Sequence, residues 1–222
     1  MTTSYRVRVW DLPTRLFHWA LVLCFLGSFI SGQIGGNAMV WHFRSGYTIA
    51  ALLLFRFVWG LVGGYWSRFG QFALGPGKVL AYMRGRGENL HDVGHSPMGA
   101  WAVVAMLLLL GLQVVSGLMS DDEIAFAGPL TRFVSGEVVG QATSYHKAVG
   151  QYLLLGMIAL HLLAIVFYII RLRKTVLRPM FHGHKELAQH VEHSTDTAVT
   201  RLLALLVLGA CAGFVWWISG LG

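Results

Sequence analysis

Charge is scarce in this sequence. Only 12% of its 222 residues are Asp, Glu, Lys or Arg, and ten of these are acidic. Soluble domains carry about a quarter of their residues as charges, so a soluble domain is excluded. Cysteine is scarcer still. Cys24 and Cys211 both fall inside apolar runs, which implies no disulfide framework, and without a C-x-x-C-H no haem is attached covalently. Internal repeats and low-complexity tracts are lacking, and so is the ten-residue alternation of a membrane β-barrel.

What remains is apolar. Hydrophobic residues make up 55% of the chain, the mean hydropathy is +0.60, and eight tryptophans supply rings of the kind found at membrane boundaries. Five apolar spans stand out, at about residues 16–32, 42–62, 99–119, 146–170 and 201–219. Each is long enough to cross a bilayer with some tilt, and in lipid only helices satisfy an open-ended backbone. The expected fold is an all-α integral membrane protein: an up-and-down four-helix bundle with a fifth transmembrane helix. The first span lacks a small-x-small cleavage site and carries His18 at its start, so it reads as a retained helix rather than a signal peptide.

The net charge of +7 follows the connections. Arg6, Arg8 and Arg15 precede the first span. Arg68, Lys78, Arg84 and Arg86 follow the second, and Arg171, Arg173, Lys174, Arg178 and Lys185 follow the fourth. The opposite side has Arg44, Arg132 and Lys147 against Asp121, Asp122, Glu123 and Glu137. The positive-inside rule places the N-terminus in the cytoplasm and the C-terminus in the periplasm of a bacterial inner membrane. Basicity is thus a matter of topology, and no nucleic-acid partner is implied. The outer connection, 120–145, is long enough to form a docking surface.

Four histidines lie in the spans. His42 and His146 enter from the outer side, while His18 and His161 lie toward the cytoplasmic side. His146 and His161 are fifteen residues apart, a rise of about 22 Å and an angular advance of about 60° in α geometry. Intramembrane ionisable residues usually face the bundle interior and are functional by default, and neutral imidazole suits iron. Helix bundles hold cofactors through side chains on facing helices. The reading is two b-type haems, the outer held by His42 and His146, the inner by His18 and His161. Gly46 and Gly150 each follow a ligand by four residues and would leave room for a porphyrin plane. Arg56 lies about −40° from the His42 direction, toward the inner haem, and could pair with a propionate or a quinone oxygen.

The sequence R-V-W-D-L-P-T-R-L-F-H-W of residues 8–19 resembles the N-terminal signature of the bacterial cytochrome b561 family, which includes the membrane cytochrome b subunits of Ni/Fe hydrogenases. So do F-R-F-V-W-G-L-V-G at 55–63, G-H-S-P-M-G at 94–99, the H-x14-H of the fourth span and R-P-M-F-H-G-H-K at 178–185. The resemblance implies a four-helix bundle with two b haems on His18, His42, His146 and His161, exchanging electrons with the quinone pool. The chain departs from the simplest members in its fifth helix and in the Ser that follows His95. One membrane domain, 1–222, is expected, with a di-haem core at about 8–178 and a cytoplasmic connection plus fifth helix at about 179–222.

A quinone site on the cytoplasmic side would draw on His91, His95 and Ser96, where a titrating imidazole can hydrogen-bond a quinone carbonyl. His95 could instead cap the third span. His182, His184, His190 and His193 match no strong zinc spacing. The leading function is an electron-transfer subunit of a quinone-linked oxidoreductase, working with a periplasmic hydrogenase or c-type cytochrome. A homodimer is one assembly open to it. A stand-alone superoxide:quinone oxidoreductase would need an anion-attracting outer face, whereas the outer connection carries four acids against Arg132. A His-dependent proton-coupled transporter would show repeated halves and broken helices, and neither is visible.

Overall fold

A computed structural model describes residues 4–84 and 93–222. Five helical spans among these are long and apolar enough to cross a membrane, and the fold is that of an all-α integral membrane protein. The elements run β1 (Tyr5–Arg8), α1 (Leu12–Ile34), α2 (Met39–Val62), α3 (Pro76–Met83), α4 (Pro97–Leu118), α5 (Gly136–Ser144), α6 (Gln151–Ile170), α7 (Arg178–His182), β2 (His184–Leu187) and α8 (Ala198–Ser219). Tyr145–Gly150 is a π turn that joins α5 to α6, so the fourth span is continuous from Gly136 to Ile170. It therefore starts ten residues before His146, because Ser135 caps α5 through its side chain on the Val138 N–H.

The chain divides into two compact units. The first comprises Met1–Phe17, Arg56–Ala105 and Leu160–Leu205; the second comprises His18–Phe55, Met106–Ala159 and Leu206–Gly222.

In the first unit, β1 and β2 form an antiparallel ribbon with Val7 opposite Lys185 and Arg8 opposite His184. Val7, Val9, Trp10, Val93 and Val191 are buried together, with Trp66, Met180 and Leu187 packed against them. The sequence reads 181–200 as a plain connection. Its strand has only one apolar residue, Leu187, and gains its place from that packing rather than from alternation. Gly183, at φ 81°, ends α7 in the left-handed region, and its carbonyl accepts from the Val9 and Trp10 N–H groups.

Asp11 is the hub of this unit. It is fully buried and accepts from the Thr14 N–H at 2.7 Å, capping α1. The same carboxylate accepts from Trp59 Nε1 at 3.2 Å, the Gly64 N–H at 2.9 Å and the Ser67 hydroxyl at 3.1 Å. A side chain on Gly64 would collide with the Asp11 carboxylate, and one on Gly60 with the Phe69 ring. The aspartate of W-D-L-P-T and the glycines of W-G-L-V-G-G thus serve one closure. A buried carboxylate is tolerable only with such a full set of donors.

At the end of α6 the chain reverses through Arg173, at φ 52°, and the Lys174 N–H bonds the Tyr168 carbonyl six residues back. A non-glycine residue thus holds the left-handed position that closes the helix end. In the second unit, Ala50, Ala51 and Val215 are buried together, packed by Tyr47 and Val114. The connection between α4 and α5 folds back on itself by an Asp121–Ala127 bridge. The Asp122 carboxylate accepts from the N–H groups of Ile124, Ala125 and Phe126. Those bonds, led by Phe126, hold its pKa below the ordinary carboxylate range.

Candidate functional site

His42 of α2 and His146 of the π turn face each other in the second unit. Their ring centres are 5.9 Å apart and their planes stand at 89°. A metal bound about 2 Å from each of two opposed imidazole nitrogens puts the ring centres roughly 6 Å apart. Each ring plane contains its own metal–nitrogen axis, so a perpendicular pair is allowed.

The two rings are held in the same way. His42 Nδ1 lies 2.9 Å from the Ser28 carbonyl oxygen and 3.2 Å from Ser28 Oγ. His146 Nδ1 lies 2.9 Å from the Gln113 carbonyl oxygen and 3.4 Å from Ser116 Oγ. A carbonyl only accepts, so Nδ1 carries the proton in both rings and Nε2 keeps its lone pair. In both cases the acceptor is a helical carbonyl whose i+4 residue is glycine. A Cβ on Gly32 would lie 2.9 Å from His42 Nδ1, and one on Gly117 would lie 2.8 Å from His146 Cε1. Any side chain there would cover the carbonyl that orients the ring. These two glycines escape sequence reasoning, because small residues in apolar helices read equally as packing. The usable signal is a polar residue four before glycine in each helix, Ser28/Gly32 and Gln113/Gly117.

The π turn bears on the same residues. A π turn takes one residue more than an α turn and leaves the backbone ladder out of step. The Gln113 side chain donates Nε2–H to the His146 carbonyl at 3.0 Å, filling one acceptor there. One residue absorbed changes the His146-to-His161 advance from about 60° to about −40°. It also moves Gly150 off the His146 face. Gly150 is buried with the Gln113 amide and the Tyr145 ring where its side chain would stand, whereas Gly46 has open space around it.

The remaining candidates lie as follows. His18 is half-buried in α1 of the second unit, its ring edge-on to Trp19 at 5.1 Å. His161 is half-buried in α6 of the first unit. Arg56 does not snorkel: it is 3% exposed, donates from Nη2 to the Ser67 carbonyl at 3.1 Å and lies over the Phe69 ring. Its Nη1 has no hydrogen-bond partner among the described residues. A buried cationic N–H left in that state costs about 1–3 kcal/mol, and an added carboxylate or carbonyl oxygen would remove that cost. His95 packs between Trp10, at 4.6 Å, and Phe72, at 5.0 Å. Capping of α4 falls instead to Ser96, whose Oγ accepts from the Gly99 N–H at 3.2 Å. His91 lies outside the described residues. No cluster of three or more metal-ligating side chains occurs among the described residues.

The prokaryotic cytochrome b561 profile matches residues 9–183, most of the chain. The protein belongs to the prokaryotic cytochrome b561 family. Membership implies b-type haem binding, and the matched stretch contains all four intramembrane histidines of the cytochrome. The chain is 23% identical over 211 residues to a probable Ni/Fe-hydrogenase B-type cytochrome subunit of Cupriavidus necator, covering 80% of this chain and 86% of that one. It is 22% identical over 137 residues to a probable Ni/Fe-hydrogenase 1 B-type cytochrome subunit of Escherichia coli K12, covering 49% of this chain. That match spans 57%, a little over half, of the Escherichia coli protein's length. No solved structure matches.

Proposed function

We propose that this b561-family cytochrome is a transmembrane electron conduit with two b haems. His42 and His146 hold the outer one, and His18 and His161 hold the inner one. The observation that carries the proposal is the His42–His146 pair, 5.9 Å apart, with both Nδ1 atoms tied to helical carbonyls. For the inner pair the support is the sequence itself, through depth in the spans and the family motif. When bound, b-type haem supplies one-electron exchange between its ferric and ferrous states.

The chain's own groups do the rest. The Nδ1–H bonds fix the tautomer and raise the basicity of Nε2, which favours the ferric state. Gly46 leaves open space for a porphyrin face, whereas at Gly150 the Gln113 amide and the Tyr145 ring fill the corresponding space and the glycine serves close packing there. Arg56 offers its free Nη1 to a propionate or a quinone oxygen, and His95 hydrogen-bonds a quinone at the cytoplasmic end. The outer partner is a periplasmic hydrogenase, in keeping with the names of both relatives, or a c-type cytochrome. The acidic outer connection favours a basic protein partner over superoxide as donor. The location is the bacterial inner membrane, N-terminus in the cytoplasm and C-terminus in the periplasm.

The test is pyridine haemochrome content per purified chain. Two haems are expected, falling to one in His42→Ala and in His146→Ala. One haem in the wild type, or two in both variants, would remove the assignment.

A further inference from the structure

Three hydroxyls in the first unit lie in succession within hydrogen-bond reach of one another. Tyr82 Oη is 3.2 Å from Tyr168 Oη, and Tyr168 Oη is 3.2 Å from Ser96 Oγ. The three belong to α3, α6 and the N-terminus of α4, so the alignment is tertiary. Tyr168 is seven residues beyond His161 on α6, on nearly the same face and about 10 Å along the axis. Ser96 is next to His95 in sequence. At the opposite end, Lys174 Nζ stands 5.8 Å from the Tyr168 ring centre and 6.0 Å from that of Tyr82. The left-handed turn at Arg173 folds Lys174 back to this place.

Hydroxyls suit proton transfer, since each both donates and accepts. A proton entering at one end displaces one from each oxygen in turn, and every group finishes as it began. All three residues are half-buried, so bulk water does not surround the chain.

We infer that Tyr82, Tyr168 and Ser96 form a proton relay between cytoplasmic water and a quinone bound beside His95. This inference rests on the quinone-linked reading above. Oxidation of one quinol gives two electrons to two ferric haem irons and two protons to the relay, which releases them to water one at a time. Quinone reduction runs the same steps backward, with electrons from the outer donor. Tyr168, at the centre, is the relay residue; it need not touch the quinone.

The test mixes purified full-length, oxidised protein with duroquinol in a stopped-flow instrument and follows haem reduction in H2O and in D2O. Tyr168→Phe keeps the ring and removes only the oxygen. We expect reduction at least about tenfold slower, below the range of 10²–10⁴ for a positioned acid or base because water substitutes in part. The solvent isotope effect should change, with haem content and the dithionite-reduced spectrum as in wild type. Tyr82→Phe should show a smaller slowing of the same kind. Wild-type rates and isotope effects in both variants overturn the relay, and so does a slower reaction with an unaltered isotope effect. A wild-type protein with full haem that duroquinol does not reduce sinks the quinone reading and the relay with it. Equal rates in wild type and Tyr168→Phe sink the relay alone.

Discussion

Gln113 and His146 hold each other twice, in opposite directions. The imidazole Nδ1–H donates to the Gln113 carbonyl at 2.9 Å, and the Gln113 side chain donates to the His146 carbonyl at 3.0 Å. One bond sets the ring and the other sets the backbone that carries it. This makes α4, which carries neither histidine of the pair, the element that orients one of them.

Gly117→Ala is therefore expected to disturb the outer pair without altering a ligand. The added methyl meets His146 Cε1 at 2.8 Å and pushes the ring off the Gln113 carbonyl. Overpacking of this kind costs about 1–3 kcal/mol. Loss of the Nδ1–H bond lowers the basicity of Nε2, so the midpoint potential of one haem should rise while the other stays. Gly32→Ala should do the same through His42. Potentiometric titration of both variants decides it; two unmoved midpoints would mean the glycines serve only helix packing.

Asp11 should matter for stability rather than for redox behaviour. Asp11→Ala leaves Trp59 Nε1, the Gly64 N–H, the Ser67 hydroxyl and the Thr14 N–H without their acceptor. At about 1–3 kcal/mol for each buried donor left unpaired, and with some relaxation, the loss should exceed about 3 kcal/mol. Thermal unfolding of the detergent-solubilised protein should show a large fall in Tm, and Asp11→Asn, which keeps part of the acceptor capacity, a smaller one. A Tm within a degree or two of wild type in Asp11→Ala would show that the hub is not a hub.

Acid should loosen the segment before α8. The Asp196 carboxylate is 2% exposed and bonds Arg201 Nε at 2.7 Å, with Arg8 Nη1 at 3.6 Å. Burial alone would raise its pKa, but the Arg201 bond and the charges of Arg201 and Arg8 outweigh burial and leave it lowered. A depressed carboxylate stabilises the fold fully above its unfolded value of about 4, and that stabilisation fades as pH falls through the folded value. Protection against hydrogen exchange at residues 194–197, taken relative to the intrinsic rate at each pH, should accordingly fall below about pH 4 in wild type and be low already at pH 7 in Asp196→Asn. Matching exchange in the two proteins at pH 7 would argue that the ion pairs contribute nothing.

Much of this architecture is written in the sequence as polarity at the wrong depth. An imidazole in a run of leucines is conspicuous, and counting from the span ends brings His42 and His146 to one level; their rings do lie together. The helices follow from length and apolarity, because lipid leaves the backbone no other choice. What the sequence conceals is what depends on a neighbour. Y-H-K-A-V-G has ordinary helix formers, and nothing in it announces a π turn. The bonds to Gln113, thirty-three residues earlier, show what holds the turn. Nothing in W-D-L-P-T tells that Asp11 is buried among the Trp59 and Gly64 donors, forty-eight and fifty-three residues on. The ribbon β1–β2 joins strands of four residues that flank the matched region on either side, too short for any periodicity to register.

The π turn at Tyr145–Gly150 has one more bearing. It uncouples the number of residues between His146 and His161 from the direction in which they point. Excising one residue from 147–149 would let the segment wind as a regular α-helix and swing His146 by about 100°. Two histidines fifteen apart on one helix are thus aimed independently by a local surplus of chain, and a motif written as H-x14-H fixes their separation without fixing their aim.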